Sequence, residues 1–317
     1  MSSSKGLIHR IRRKIYRIYA RKNIEQGLKK LDEISSNDLS HIHITCVSDH
    51  EGGGSQLFRR LSTIVFCRHY GLTYFHSPLT NVAHQPRGDG QWESKWESFL
   101  KLGSFQTKKL EEKPKFEVLD RSYRIIRRIS DIHTAVQPHY FQVKHCHFLT
   151  DRKPDLYHHF RKPLLKSWQQ NGREKNLLYD EEVLNVAIHV RRGDVSAKTP
   201  VRFTSGKKLF ELIGRIRNCL GNRDHKIWIF CVSDEPDLKA LEGDGIQLVS
   251  NLSIFDVFDH LISADILVAS KSSVGYLPAI IGNGIVLYEP FWHSPLSSWL
   301  NIEENFEPKL IDLLSKK

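Results

Sequence analysis

Along the second half of the chain, short and nearly unbroken apolar runs alternate with segments in which apolar residues recur every third or fourth position. The runs NVAIHV (185–190), KIWIFCVS (226–233), IQLVS (246–250), DILVAS (265–270) and IVLYEP (285–290) read as strands. Between them, GKKLFELIGRIRNCL (206–220), PDLKALE (236–242), SIFDVFDHLISA (253–264) and SVGYLPAIIG (273–282) read as helices. Strands that are apolar on both faces and separated by helices predict a parallel sheet covered on both sides. An earlier and weaker alternation predicts one βαβ unit. It consists of strand HIHITCVS (41–48), glycine turn EGGGS (51–55), helix QLFRRLSTIVFCRHYG (56–71) and strand LTYFHSP (72–78). The stretch 80–180 is rich in His, Lys, Arg and Trp and gives no clear period, though its aromatic content marks it as folded.

At the N-terminus, residues 5–31 place Ile8, Ile11, Ile15, Ile18 and Tyr19 at helical spacing, and Arg10, Arg12, Arg13, Lys14, Arg17, Arg21 and Lys22 fill most other positions. Such a basic amphipathic helix suits an anionic membrane surface, where each basic side chain contributes about 1 kcal/mol. The alternatives are a solvated helix that packs its apolar stripe on the body of the protein, and a frayed tail. A length of 317 residues exceeds what one core usually serves. The expected α/β architecture therefore has three parts: a basic amphipathic segment (1–40), a Rossmann-like domain (41–180) and a second Rossmann-like domain with a parallel sheet (181–317).

Charge and cysteine content refine this picture. The net charge is +11, but residues 1–30 hold ten of the 47 basic residues and one of the 36 acidic ones, which leaves 37 against 35 elsewhere. The positive charge belongs to the leader and not to a folded face, so no nucleic-acid partner is expected. Cys46, Cys67, Cys146, Cys219 and Cys231 are odd in number and show no metal-ligand spacing, and the histidine-rich HHF (158–160) and HCH (145–147) lack partner ligands. Reduced thiols, no apolar run of spanning length and no secretory leader together give the expectation of a cytoplasmic protein, peripheral on the inner face of the membrane.

Candidate chemistry follows from the predicted sheet. Ligands of open parallel sheets bind beyond the carboxyl ends of the strands, where loops enter helix N-termini. Strand 185–190 ends in Arg191 and Arg192, strand 226–233 in Ser233, Asp234 and Glu235, and strand 265–270 in Ser270, Lys271, Ser272 and Ser273. Two guanidiniums, an ammonium, hydroxyls and a helix start suit a diphosphate. No Gly-x-Gly-x-x-Gly follows a strand, which disfavours a nicotinamide or flavin enzyme, and no GxxxxGK[ST] occurs. No Asp-x-Asp stands at a strand end, so no cofactor or metal is expected and the arginines would neutralise the diphosphate.

These stretches bear a resemblance to a known family. HVRRGD, the strand ending VSDE, a helix led by Asp256, then ADILVASKSSVGYLPAII and YEPFWHSPL together resemble the GT-B fucosyltransferase superfamily of α-1,2-, α-1,6- and protein O-fucosyltransferases. GGGSQLFRRLSTIVFCRHYGLTYFHSP is similar to their opening βαβ unit. The resemblance covers about 41–80 and 183–300. It implies two Rossmann-like domains facing across a cleft, inverting and metal-independent transfer, GDP-fucose as donor, and a glycan acceptor, free or lipid-linked. By position, His189 and Asp256, with Asp259 one turn on, would contact the guanosine, Arg191 or Arg192 the β-phosphate, and Ser272 and Ser273 the phosphates. Gly53, Gly54, Ser55 and Gln56 would approach the sugar, and Ser233, Asp234 and Lys271 complete the donor side. Gly54-Ser55-Gln56 stands where the family reads Gly-Asn-Gln, and SSVGYLP where α-1,2 enzymes carry tryptophans, which leaves the sugar and the linkage open.

The expected function is transfer of fucose from GDP to a glycan hydroxyl in cell-surface polysaccharide or glycoconjugate synthesis, with Arg191 and Arg192 stabilising the leaving diphosphate. Asp49, Glu51 and His76 are the candidate bases at the strand ends beside the glycine turn. The alternatives are a transferase using another nucleotide sugar, and a non-catalytic anion-binding or membrane-adaptor protein on the same fold.

Overall fold

A computed structural model describes residues 22–34, 38–106, 114–119, 122–144, 146–199, 201–233 and 235–316. Residues 1–21 of the predicted basic segment, Asp234 of the predicted donor side and His145 of the HCH triplet lie outside them. The chain divides into two compact units, Met1–Leu156 and Tyr157–Lys317.

In the first unit, residues 22–34 form helix α1. Ile24, Leu28 and Leu31 are buried at helical spacing, and a Cβ on Gly27 would stand 2.8 Å from Ile126 Cγ2. The described end of the basic segment thus packs its stripe on the body of the protein. Strand β1 (Ile42–Cys46) is followed by β2 (Glu51–Gly52), α2 (Gly53–His69), β3 (Thr73–Tyr74), β4 (Val82–Ala83) and α3 (Trp92–Leu100). Then come β5 (Glu117–Leu119), α4 (Ser122–Ile132), β6 (His139–Val143) and α5 (His147–Thr150). A parallel four-stranded sheet has the order β3-β1-β6-β5, and β2 pairs with β4 apart from it.

The predicted glycine turn is shorter than the sequence suggests, because α2 begins at Gly53 and not at residue 56. The Trp96 ring lies 2.1 Å from where a Gly53 Cβ would stand, so glycine here lets the first turn of the helix seat against α3. Helix α2 is buried along most of its length, including two arginines. Arg60, fully buried, donates to the carbonyls of Ser77 (2.7 Å) and Pro78 (2.7 Å) and to Ser48 Oγ (2.6 Å), which ties the two strand-end loops to the helix.

The second unit opens with α6 (His158–Gln169), followed by β7 (Leu184–His189), α7 (Gly206–Leu220), β8 (His225–Phe230), α8 (Pro236–Lys239) and β9 (Ile246–Val249). The chain continues through α9 (Ile254–Ser263), β10 (Ile266–Ala269), α10 (Ser273–Ile281), β11 (Ile285–Tyr288), β12 (Leu300–Asn301) and α11 (Glu307–Ser315). Residues 157–180, grouped with the first domain on sequence grounds, belong here. Leu164 and Trp168 of α6 are buried, and Trp168 Nε1 donates to Asp259 Oδ1 on α9 at 2.7 Å.

All strand pairs are parallel, and the sheet order is β9-β8-β7-β10-β11-β12. Counted within the unit this is 3-2-1-4-5-6, the doubly wound order that reverses direction between its first and fourth strands. Val186 and Ile188 of β7 face one way, into a cluster with Leu209, Ile213 and Ile216 of α7 and Leu310 of α11. Asn185 of the same strand faces the other way, where its Oδ1 accepts from Trp228 Nε1 (3.0 Å), and α9 and α10 cover that side. Burial on both faces explains the continuous apolar runs, each buried Leu or Ile contributing about 2 kcal/mol.

Candidate functional site

The reversal of strand order sets the carboxyl ends of β7 and β10 side by side, with Ile188 in register with Val268. Within the next four residues the two loops are joined by hydrogen bonds. His189, buried at the end of β7, shares a 2.7 Å hydrogen bond between its Nδ1 and Ser270 Oγ. Burial, reinforced by the Arg191 charge, pushes the His189 pKa down to about 3, so the ring is neutral at physiological pH. Arg191 then reaches across to the start of α10, where its Nη1 donates to Ser272 Oγ at 3.3 Å.

Ser272 is the N-cap of α10 and accepts from the Val274 N–H at 3.2 Å. The helix start sits tightly on the strand end: a Cβ on Gly275 would fall 2.9 Å from the Ser270 backbone nitrogen. A side chain there would push the N-terminus of α10 off β10. Ser273 opens the helix beside Ser272, so the positive end of the helix dipole and the Arg191 guanidinium converge on one crevice. This arrangement can bind a phosphate group.

Arg192, written next to Arg191, points elsewhere. It is 4% exposed, its Nη2 donates to the Thr204 carbonyl (2.9 Å) and to Asp237 Oδ2 (3.0 Å), and its Cζ lies 4.4 Å from the centre of the Phe203 ring. Asp237 Oδ2 also accepts the Gly206 N–H that opens α7 (2.8 Å). Arg192 therefore fixes the loops beneath the crevice and presents no donors to it. Lys271 is likewise held inward, its Nζ 3.2 Å from Oε1 of the buried Glu289, which also pairs with Lys208 (3.1 Å) and accepts from Thr204 Oγ1 (2.6 Å). Ser233 Oγ donates to Glu235 Oε1 at 3.1 Å.

On α9, Asp256 and Asp259 share one cation that sequence reading did not single out. Arg173 Nη2 donates to Asp256 Oδ1 and to Asp259 Oδ2, each at 3.0 Å, and Ser253 Oγ donates to Asp256 Oδ2 at 2.6 Å. Asp259 is buried and serves packing, whereas Asp256 keeps an exposed edge. Arg202 was missed as well. It follows β7 in the loop that precedes α7, and only the rule that such loops border the crevice would have flagged it. A hollow of about 500 Å³ beside β9, lined among others by Lys239, Glu242, Gln247 and Asn251, lies apart from these strand ends.

The remaining candidates belong to the first unit. Gly53 and Gly54 are buried in the first turn of α2. Ser55 Oγ donates to Glu51 Oε2 (2.8 Å), and the buried Gln56 donates through Nε2 to the carbonyls of Asp49 and Thr80, both at 2.8 Å. Arg59 binds Asp49 Oδ2 (2.8 Å) and Glu51, and Lys144 lies 3.0 Å from the same Asp49 oxygen. The hydrogen bond from Arg59 holds the Asp49 carboxyl below its ordinary value. His76 shares hydrogen bonds with Tyr74 through Nδ1 (3.0 Å) and with Glu97 through Nε2 (2.9 Å). Burial raises the Glu97 pKa, but the bonds from His76 and the Leu79 N–H outweigh it and leave the carboxyl below its usual range. All three candidate bases are thus engaged, Asp49 and Glu51 by a shared guanidinium and His76 by an orienting carboxylate.

No protein-family model matches the chain, and no curated protein matches it. Among solved structures, it is similar to NodZ α-1,6-fucosyltransferase soaked with GDP-fucose, at 10% identity and a TM-score of 0.41, over 76% of this chain and 92% of that one. The same enzyme co-crystallized with GDP aligns at 9% identity and a TM-score of 0.37, over 78% and 94%. The glycotransferase of kitacinnamycin aligns at 12% and 0.31, over 86% and 84%. Likenesses this distant carry no residue role and no ligand to this chain.

Proposed function

We propose that the chain is a glycosyltransferase that binds a nucleoside-diphosphate sugar at the β7/β10 crevice, with GDP-fucose as donor and a glycan hydroxyl as acceptor. The observation that carries this reading is the meeting of Arg191 with the capped start of α10 where the 3-2-1-4-5-6 sheet reverses. The identity of the base and sugar rests on the sequence resemblance, and the phosphate chemistry rests on the crevice. In the proposed reaction the acceptor oxygen bonds to the anomeric carbon as the bond from that carbon to the β-phosphate oxygen breaks, with inversion. The bonding pair stays on the diphosphate, and the acceptor proton is lost to a base or to water.

Negative charge grows on the leaving diphosphate, so donors fixed before the reaction favour the transition state over the bound substrate. Arg191 and the α10 N-terminus are such donors, and in this proposal they do the work that a metal does in other transferases. His189, neutral and bonded to Ser270, keeps the two strand ends in register without adding a competing charge. The test is release of GDP from GDP-fucose, with and without glycan acceptors, in the presence of a chelator. Turnover that survives chelation and falls at least about 100-fold in Arg191→Ala is expected. Undiminished turnover in that variant would remove Arg191 from the mechanism, and turnover of a different nucleotide sugar would replace the donor.

A further inference from the structure

The crevice already contains an anion, supplied by the chain itself. Gly193 has φ +81°, which turns the backbone so that Asp194 comes back over Arg191. Its carboxylate accepts from Arg191 Nε (Oδ1, 3.0 Å) and Nη2 (Oδ2, 2.5 Å), the two-pronged pairing by which a guanidinium also grips a phosphate. A second guanidinium faces the same oxygen: Arg202 Nη1 stands 4.0 Å from Asp194 Oδ2. Arg202 Cζ lies 5.2 Å from the centre of the Trp292 ring, and its buried Nε is a donor with no hydrogen-bond partner among the described residues. Burial and the Arg191 charge lower the Arg202 pKa while Asp194 raises it, as expected of two like charges bridged by one carboxylate.

Asp194 and Arg192 sit differently. The Asp194 side chain is 45% exposed, whereas Arg192 is buried on Asp237 and Phe203. We propose that Asp194 is a tethered counter-ion occupying the position of a ligand phosphate, and that Arg191 and Arg202, not Arg191 and Arg192, form the guanidinium pair that receives the diphosphate once Asp194 is displaced. This inference rests on the reading of the crevice as a nucleoside-diphosphate site. It adds a second binding residue that no sequence motif marks, and a built-in competitor that lowers affinity for small anions such as free phosphate while a diphosphate, with more charge and more oxygens, displaces it.

Calorimetric titration of the full chain with GDP and with inorganic pyrophosphate, at one ionic strength, tests it. Asp194→Asn and Asp194→Ala should each bind both ligands about tenfold more tightly than wild type, and Arg202→Gln about tenfold more weakly, with Arg202→Lys partly restoring affinity. The Arg202→Gln loss should persist in the Asp194→Asn background, because Arg202 meets the ligand and does not merely hold Asp194. Equal or weaker binding by both Asp194 variants, or disappearance of the Arg202 effect in that background, overturns the inference. It does so while the site reading stands if wild type binds GDP and Arg191→Ala does not. Absence of any binding by wild type and by the Asp194 variants overturns the inference and the site reading together.

Discussion

Arg191 and Arg192 are chemically identical neighbours, and the crevice uses them in opposite ways. In an extended chain adjacent side chains leave on opposite sides, so one guanidinium meets Ser272 and the other enters the packing around Phe203. The sequence shows that cations follow β7, but not which one faces the crevice, because that depends on register against β10 and on the course of a loop with no period of its own. His189 offers a sharper test at this scale. Its pKa is about 3 when folded, against 6.5 for the unperturbed group, so the unfolded chain binds more protons between these values. The stability that His189 contributes is complete above pH 6.5 and is lost as pH falls toward 3. Denaturant midpoints should show about 2 kcal/mol more loss between pH 6.5 and pH 5 in wild type than in His189→Asn, which keeps a polar group near the Nδ1 position. His260, also depressed by burial, adds a slope of the same sign that both proteins share. Parallel pH profiles would mean that His189 is not held neutral in the folded state.

Elements were legible where both faces of a strand are covered. The runs predicted at 185–190, 265–270 and 285–290 correspond to β7, β10 and β11, displaced or trimmed by one or two residues at their ends, and the helix at 206–220 coincides with α7. Legibility failed where strands are short. β2 and β4 have two residues each, too few for a period of two to register, β3 keeps only two of the seven residues predicted as a strand at 72–78, and the helices between 92 and 169 carry their apolar faces among basic and aromatic residues. β12, with two residues, was passed over for the same reason, and α11 was not predicted. A glycine in a helix start gives no sign in sequence of whether it marks a turn or a close approach. Gly275 is a close approach, and Gly275→Val should cost about 2–3 kcal/mol of stability by forcing α10 away from Ser270. It should also weaken GDP binding in proportion to the displacement of the helix start. Unfolding curves and titration of the same sample measure both, and an unchanged GDP affinity in a destabilised variant would separate α10 from the anion site.

At the scale of the whole molecule, the charge asymmetry and the fold class were legible, and the grouping of elements was not. Residues 157–180 join the second unit through Trp168 and Arg173, whose partners on α9 lie more than 80 positions away in sequence. Composition sees no such contact. The end of the basic leader, α1, is docked on the first unit through Ile24, Leu28 and Leu31, and its Asp32 accepts from Tyr70 Oη at 3.0 Å. Among the described residues no helix is long and apolar enough to cross a membrane. What joins the scales is the second unit, where a doubly wound sheet places one strand-end arginine against one helix start. The most direct test is the thermal midpoint of wild type and Arg191→Ala with GDP, ADP, UDP and NAD, each at a fixed high concentration. Saturating GDP should stabilise wild type by about 3 kcal/mol, a rise of roughly 5 °C, with smaller shifts from the other nucleotides and none from GDP in Arg191→Ala. A larger shift with NAD, or equal GDP stabilisation of both proteins, would contradict the assignment of this crevice to a guanosine diphosphate.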